Sequence, residues 1–480
     1  MGLRSIVVLV VLVGIVASSV LAWPRLESSA PVLSGPESIL LGSEAQDVSI
    51  AIVEEGMGIK RVTAVLIDGS EETPLLADTI RGTWQAGSRE YERKLTLRLD
   101  PKVLGLEDGL VHLRVTVEDW SWRGNVGELE IPVEIDRVAP RVAVRSGLTY
   151  VDQGGAAAVV YELSEAAARH GVEVVGQNGT FFYKGHPFPD SPPALDSPRE
   201  SGSPRPSESP AETPTVASGD APQPTPGRRR QVAIFAIDRD AGEDASITVV
   251  ASDRAGNESR ARWNVVVKAR IFPHDSVNLP ASFLSNVVPE LARQAGIEAK
   301  NPVLAFERIN AELRSANERT IRERLADSAP RPLWSGAFEQ LANSKVTSRF
   351  ADARVYKVDG RPVSSAIHYG YDLASLSGAD VTATNAGLVR FAGDLGIYGN
   401  CVLVDHGLGV ASLYGHLSRL DVREGEPVTK GQRLGLSGAT GLAGGDHLHF
   451  AILVGPTYVD PVEWWDPKWV REHISVRLER

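Results

Sequence analysis

Gly444-Gly445-Asp446-His447-Leu448-His449-Phe450-Ala451-Ile452-Leu453-Val454 is the stretch on which the fold turns. A glycine pair opens it and an apolar run closes it, so the pattern predicts a turn followed by a strand. Side chains two apart on a strand share a face. His447 and His449 therefore offer two imidazoles on one side, spaced to share a metal or a water. Paired histidines on a strand also occur as plain scaffold, so a site needs groups from elsewhere in the chain.

Those groups are present. Of the ten histidines, six lie between His368 and His473. They sit in or near the phrases His368-Tyr369-Gly370-Tyr371-Asp372, Tyr414-Gly415-His416-Leu417 and Gly438-Ala439-Thr440-Gly441. Imidazole nitrogen and carboxylate oxygen are zinc donors, and a catalytic zinc site uses three protein ligands with a fourth position open. His368, Asp372 and one of the paired histidines supply such a set. The other paired histidine and His416 then remain for water and substrate. His406, between an apolar strand and Gly407, reads as structural. His112, His170, His186, His274 and His473 have no partners in sequence. Trp464, Trp465 and Trp469 read as a packing cluster. The single cysteine, Cys401, excludes a disulfide framework and a cysteine-built zinc site. It reads as a small core residue. No His-Glu-x-x-His helix and no Gly-x-Ser-x-Gly elbow occurs.

Taken in order, the phrases His-x-Gly-x-Asp, Tyr-x-His-Leu and His-Leu-His-Phe resemble the lysostaphin/LytM-type zinc endopeptidases of bacterial cell walls. Supporting phrases are Ser348-Arg349-Phe350, Ala386-Gly387-Leu388-Val389, Tyr398-Gly399-Asn400, Asp405-His406-Gly407, Gly425-Glu426-Pro427-Val428 and Gly431-Gln432-Arg433-Leu434-Gly435. The likeness runs over 343–465. It implies that His368, Asp372 and His449 bind one Zn2+ and that His416 and His447 are the catalytic pair. It also implies an antiparallel β-sheet flooring a groove, and peptide bonds of peptidoglycan stems or cross-links as substrate. Ala351 stands where the family usually has glycine, which predicts a local loop change. All five site positions are filled, so an active enzyme is expected. The competing expectation is a latent or non-enzymatic envelope scaffold that binds the wall or activates another hydrolase.

The remaining chain reads as mainly β. Its 480 residues allow for about three domains. A net charge of -11 argues against nucleic acid as a partner. Residues 1–23 carry an apolar run from Ile6 to Trp23 that fits a membrane anchor or a signal peptide. Either one puts the rest on the extracytoplasmic side of the envelope, with an inner-membrane anchor favoured. Short alternating runs over 35–136 predict a β-sandwich. The closing phrase, an Asp followed by a Gly-Asn turn, occurs as Asp119…Gly124-Asn125 and again as Asp253…Gly256-Asn257. This predicts a second sandwich over 140–270, and both are similar to bacterial immunoglobulin-like modules, acting as spacers or as docking sites for an envelope protein. The segment 187–229 holds 12 of the 30 prolines and is expected to be disordered. Helical spacing over 280–327 predicts a two-helix connector, with Asn301 as N-cap and Pro302 at the first helical position. It is expected to brace the zinc domain, 331–480, or to lie across its groove.

Overall fold

The computed structural model describes residues 28–83, 86–189 and 229–479, together with 11–14, 16 and 26. Most of the expected anchor at 1–23 and of the proline-rich segment 187–229 lies outside the described residues. Among the described residues, no helix is long and apolar enough to cross a membrane. The chain divides into two compact units, Met1–Pro140 with Ser252–Glu258 and Arg141–Ala251 with Ser259–Arg480.

Strict alternation makes the first unit a sandwich. In Gln46–Val53 the residues Val48, Ile50 and Ile52 are buried while their neighbours face water. Val111, Leu113, Val115 and Val117 of the strand Gly109–Asp119 do the same. A three-stranded and a five-stranded sheet form around these residues. The recurrent closing phrase has a physical basis. Asp119 accepts from the backbone N–H of Asn125 at 2.9 Å and from its side-chain amide at 2.8 Å. Asp253 and Asn257 repeat the pair at 3.0 and 2.8 Å. Gly124 and Gly256 take the positive φ that each turn requires.

In the second unit, residues 142–268 form two four-stranded sheets and a short two-stranded one. These sheets share their core with the rest of the second unit. One continuous apolar core runs from Tyr161 and Phe235 through Phe306 to Tyr398 and Trp464. Ala156–Leu163 and Arg229–Ala236 explain why, being buried at almost every position rather than at alternate ones. A strand covered on both faces needs a second layer. Polar links reinforce the junction: Tyr183 Oη to Thr457 Oγ1 at 2.8 Å, Arg270 to Asp460 at 2.7 Å and the Ala156 N–H to Glu463 Oε2 at 3.1 Å.

The C-terminal sheet has the strand order 345–348, 371–374, 448–454, 410–417, 400–407, 387–394 and 427–428, with 457–459 added beside 448–454. Its neighbouring pairs are antiparallel. A separate three-stranded sheet combines His274–Asn278, Asp352–Val358 and Arg361–His368. The helices Ala281–Gln294 and Pro302–Arg308 follow the expected spacing, and Asn301 Oδ1 caps the latter by accepting from the Leu304 N–H at 3.0 Å. The chain then makes a π turn over Ile309–Leu313 before continuing as Arg314–Leu325, which the apolar spacing did not signal.

Trp464 is fully buried against Trp334, Phe338 and Trp469, so the late aromatic group is packing. Truncation there leaves a cavity the size of an indole. Trp464→Ala is therefore expected to destabilise the second unit by about 3–5 kcal/mol in urea denaturation.

Candidate active site

Strand register builds the site. His449, in Leu448–Val454, lies directly opposite Asp372 of Tyr371–Ala374 on one side and Gly415 of Val410–Leu417 on the other. His368 ends its strand four residues before Asp372, and the intervening Tyr369-Gly370 turn swings it back over the carboxylate. Gly370 is required there, because a Cβ would lie 2.7 Å from the His449 ring. His447 precedes the strand in the same extended line and is held by its N–H to Gly438 O at 3.0 Å. Asp446 pins the preceding turn by accepting from Ser437 Oγ at 2.6 Å and the Gly378 N–H at 2.9 Å.

Three donor atoms converge. His368 Nε2 lies 2.9 Å from Asp372 Oδ1 and 3.0 Å from His449 Nδ1, and His449 Nδ1 lies 3.0 Å from Asp372 Oδ1. The three residues can hold a metal ion with one ligand atom each. His368 Nδ1 faces Arg349 O at 3.0 Å, and Nε2 turns to the carboxylate and the second imidazole. The N/N/O donor set suits zinc. Asp372 also pairs with Arg354 at 3.0 Å, and Arg354 with Asp352 at 3.1 Å. Burial alone would raise the Asp372 pKa. His368 outweighs it, with help from His447 and His449, and the carboxyl lies well below its usual range.

His416 and His447 face each other with ring centroids 4.8 Å apart. Each points Nδ1 at a backbone carbonyl, Thr440 O and Gly445 O respectively, at 2.8 Å. A carbonyl only accepts, so Nδ1 carries the hydrogen and Nε2 turns to the cleft. Their electrostatics diverge. Burial, aided by His447 and His449, pushes His416 down to about 3. Burial also opposes charge on His447, but the Asp372 carboxylate 3.6 Å away prevails and raises it. The pair thus offers a neutral base beside an imidazole that protonates more readily. His416 also has a φ of 64°, an uncommon backbone state for a non-glycine residue. Its carbonyl partner is set by close backbone packing, for a Cβ on Gly441 would meet Gly399 N at 2.3 Å.

All five expected residues line one cleft of about 450 Å³. His406 does not; it is buried elsewhere between Ala386 O and Ser412 Oγ, each 2.7 Å away. His186 is buried outside the cleft, and Cys401 is a buried free thiol. Ala351 has a φ of 60°, which accounts for glycine being suited to that loop. Several functional neighbours escaped the sequence reading. Arg354 sits in an ordinary alternating strand. Tyr398, beside His449 at 5.5 Å, has its hydroxyl tied to Glu318 of the connector at 2.6 Å. The connector also supplies cleft-lining Phe283, Phe306 and Arg314. Tyr398 stands in the phrase Tyr398-Gly399-Asn400, which did not signal its place beside His449; the others carry no motif, and only the fold brings them here.

Residues 366–461 match the model of Peptidase family M23. The chain is 40% identical over 96 residues to DD-carboxypeptidase/endopeptidase Mpg of Neisseria meningitidis, covering 20% of this chain and 22% of that protein. It is 36% identical over 122 residues to peptidoglycan DD-endopeptidase ShyB of Vibrio cholerae, covering 25% and 28%. The match thus spans about a quarter of these relatives' length. Among solved structures, the catalytic domain of lysostaphin from Staphylococcus simulans is 28% identical, covers 27% of this chain and 98% of that one, and has a TM-score of 0.24.

Burial pushes His406 down to about 4, against about 6.5 when unfolded. A depressed histidine pKa means that the unfolded state takes up a proton first. The stability His406 contributes is therefore complete above about pH 6.5 and lost as pH falls toward 4, at about 1.4 kcal/mol per pH unit. Denaturation at pH 7 and pH 5 should show this slope, and His406→Gln should flatten it by about that amount.

Proposed function

We propose that this chain, with a C-terminal domain of peptidase family M23, is a zinc-dependent endopeptidase that hydrolyses peptide bonds in the stems or cross-links of peptidoglycan. The convergence of His368 Nε2, Asp372 Oδ1 and His449 Nδ1 beside the His416–His447 pair carries this reading. His368, Asp372 and His449 would hold the ion. Zinc bound there supplies Lewis acidity, lowering the pKa of a water to about 7 and polarising the scissile carbonyl. His416, tied at Nδ1, takes the water's proton at Nε2 as the oxygen attacks the carbonyl carbon. It returns that proton to the leaving amine as the C–N bond breaks. His447, anchored at Nδ1 with Nε2 turned to the cleft, would donate to the oxyanion in its protonated form. The names of the relatives support a wall peptide as substrate, and the apolar run Ile6–Trp23 supports envelope placement by an anchor on the periplasmic side. The sandwich modules would serve as spacers or docking sites for an envelope protein.

Metal analysis and wall digestion test this together. Wild-type protein should bind one zinc and release fragments from defined peptidoglycan. Asp372→Ala and His449→Ala should lose the metal, whereas His447→Ala should keep it and lose activity by about 100-fold or more. Metal retained in both of the former variants would overturn the ligand assignment. Zinc-loaded wild type inert on varied peptidoglycans would overturn the enzyme reading.

One observation favours a second reading, a latent enzyme or scaffold. Ser282, Phe283, Asn286 and Val287 of the helix Ala281–Gln294 line the same cleft as the histidines. Latency predicts that Phe283→Ala with Val287→Ala raises digestion about tenfold, equivalent to removing about 1.4 kcal/mol of closure. An unchanged or lower rate argues that the helix is a wall of the working groove.

A further inference from the structure

The cleft has a cationic end that the chemistry above leaves unused. Arg314 opens the helix Arg314–Leu325 immediately after the π turn and lines the same cleft as His368 and His416. Its Nε and Nη2 both donate to Asn310 Oδ1, at 3.2 and 2.8 Å. Asn310 is 4% exposed and is fixed in turn, donating to Ser364 Oγ at 2.7 Å and Ser365 O at 3.1 Å. A neutral amide thus orients the guanidinium and leaves its charge unmatched.

Three other arginines of this region are different. Arg308 pairs with Glu312 at 2.8 Å, Arg324 with Glu424 at 2.8 Å and Arg354 with Asp372 at 3.0 Å. Among the described residues no carboxylate lies within ion-pair distance of Arg314. Glu318, one turn further on, accepts from the Tyr398 hydroxyl at 2.6 Å and makes no ion pair with Arg314. A π turn inserts one residue into the helical repeat and re-aims the side chains beyond it, and such turns gather at functional sites. Here the turn carries Asn310 and delivers Arg314 to the cleft. The helix is also held on both sides, by Asn310 to the strand ending at His368 and by Asn317 Oδ1 to the Ile397 N–H at 2.9 Å. A half-buried, oriented and unpaired guanidinium in a cleft is a receptor for an anion, and its planar fork matches a carboxylate.

We infer that Arg314 determines specificity by binding a free carboxylate of the peptide that enters the cleft. The substrate class rests on the endopeptidase reading; the anion site rests on the arginine's own surroundings. A free carboxylate on the bound peptide would supply the matching charge, and amidation would remove that charge while keeping its shape.

The test uses full-length protein and a pair of cross-linked stem peptides that differ only in having their carboxylates free or amidated. With zinc, wild type should favour the free acid in kcat/KM by about tenfold or more, the range of a charge-assisted hydrogen bond. Arg314→Gln should abolish that preference by losing rate on the free acid alone, and Arg314→Lys should keep part of it. The same peptides, fluorescently labelled, are titrated into metal-free protein, where no turnover is needed. Wild type should bind the acid about tenfold more tightly than the amide, and Arg314→Gln should bind both alike. If wild type binds both alike, or if Arg314→Gln keeps the preference or weakens both equally, the carboxylate site is overturned. If wild type cleaves neither peptide but shows the binding preference, the carboxylate site stands and the endopeptidase reading falls.

Discussion

One carboxylate organises the cleft. Asp372 Oδ1 lies 2.9 Å from His368, 3.0 Å from His449 and 3.6 Å from His447, while its second oxygen takes Arg354. A buried charge of this kind is tolerable only when surrounded by partners that repay its desolvation. The imidazoles and the arginine do so, drawn from three separate strand segments: Arg354 in Asp352–Val358, His368 at the end of Arg361–His368, and His447 with His449 in one extended stretch. The strand register exists to bring them together: a slip of one residue between 371–374 and 448–454 would turn His449 to the other face and leave the anion exposed to an apolar sheet.

The same anion separates two chemically identical side chains. His416 and His447 sit ring to ring with matched Nδ1 anchors, yet only His447 is near Asp372. Their electrostatics diverge through one asymmetric distance rather than through any difference in residue type. Around this centre the connector lines the cleft, bound to the strand ending at His368 and to the loop carrying Tyr398.

Much of this was legible in the chain. The five polar residues of the site stand in short phrases whose spacing is dictated by glycine turns and strand alternation, and the first sandwich announces itself in Val48, Ile50 and Ile52. The Asn301-Pro302 start of the connector helix was readable from capping chemistry alone. Other features were hidden for a common reason: they depend on contacts between segments far apart in sequence. Arg354, Glu318 and Arg314 look like ordinary surface charges on a strand or a helix. The fusion of the second sandwich with the catalytic sheet was concealed in Ala156–Leu163, where small residues gave burial on both faces no periodic signature.

The backbone of His416 has a consequence of a different kind. A φ of 64° suits glycine or asparagine, and a histidine there stores strain on the order of 1 kcal/mol or more. It is also buried without charge, where few side chains gain less from packing. Replacing His416 by glycine would therefore relieve backbone strain while removing an imidazole from the cleft.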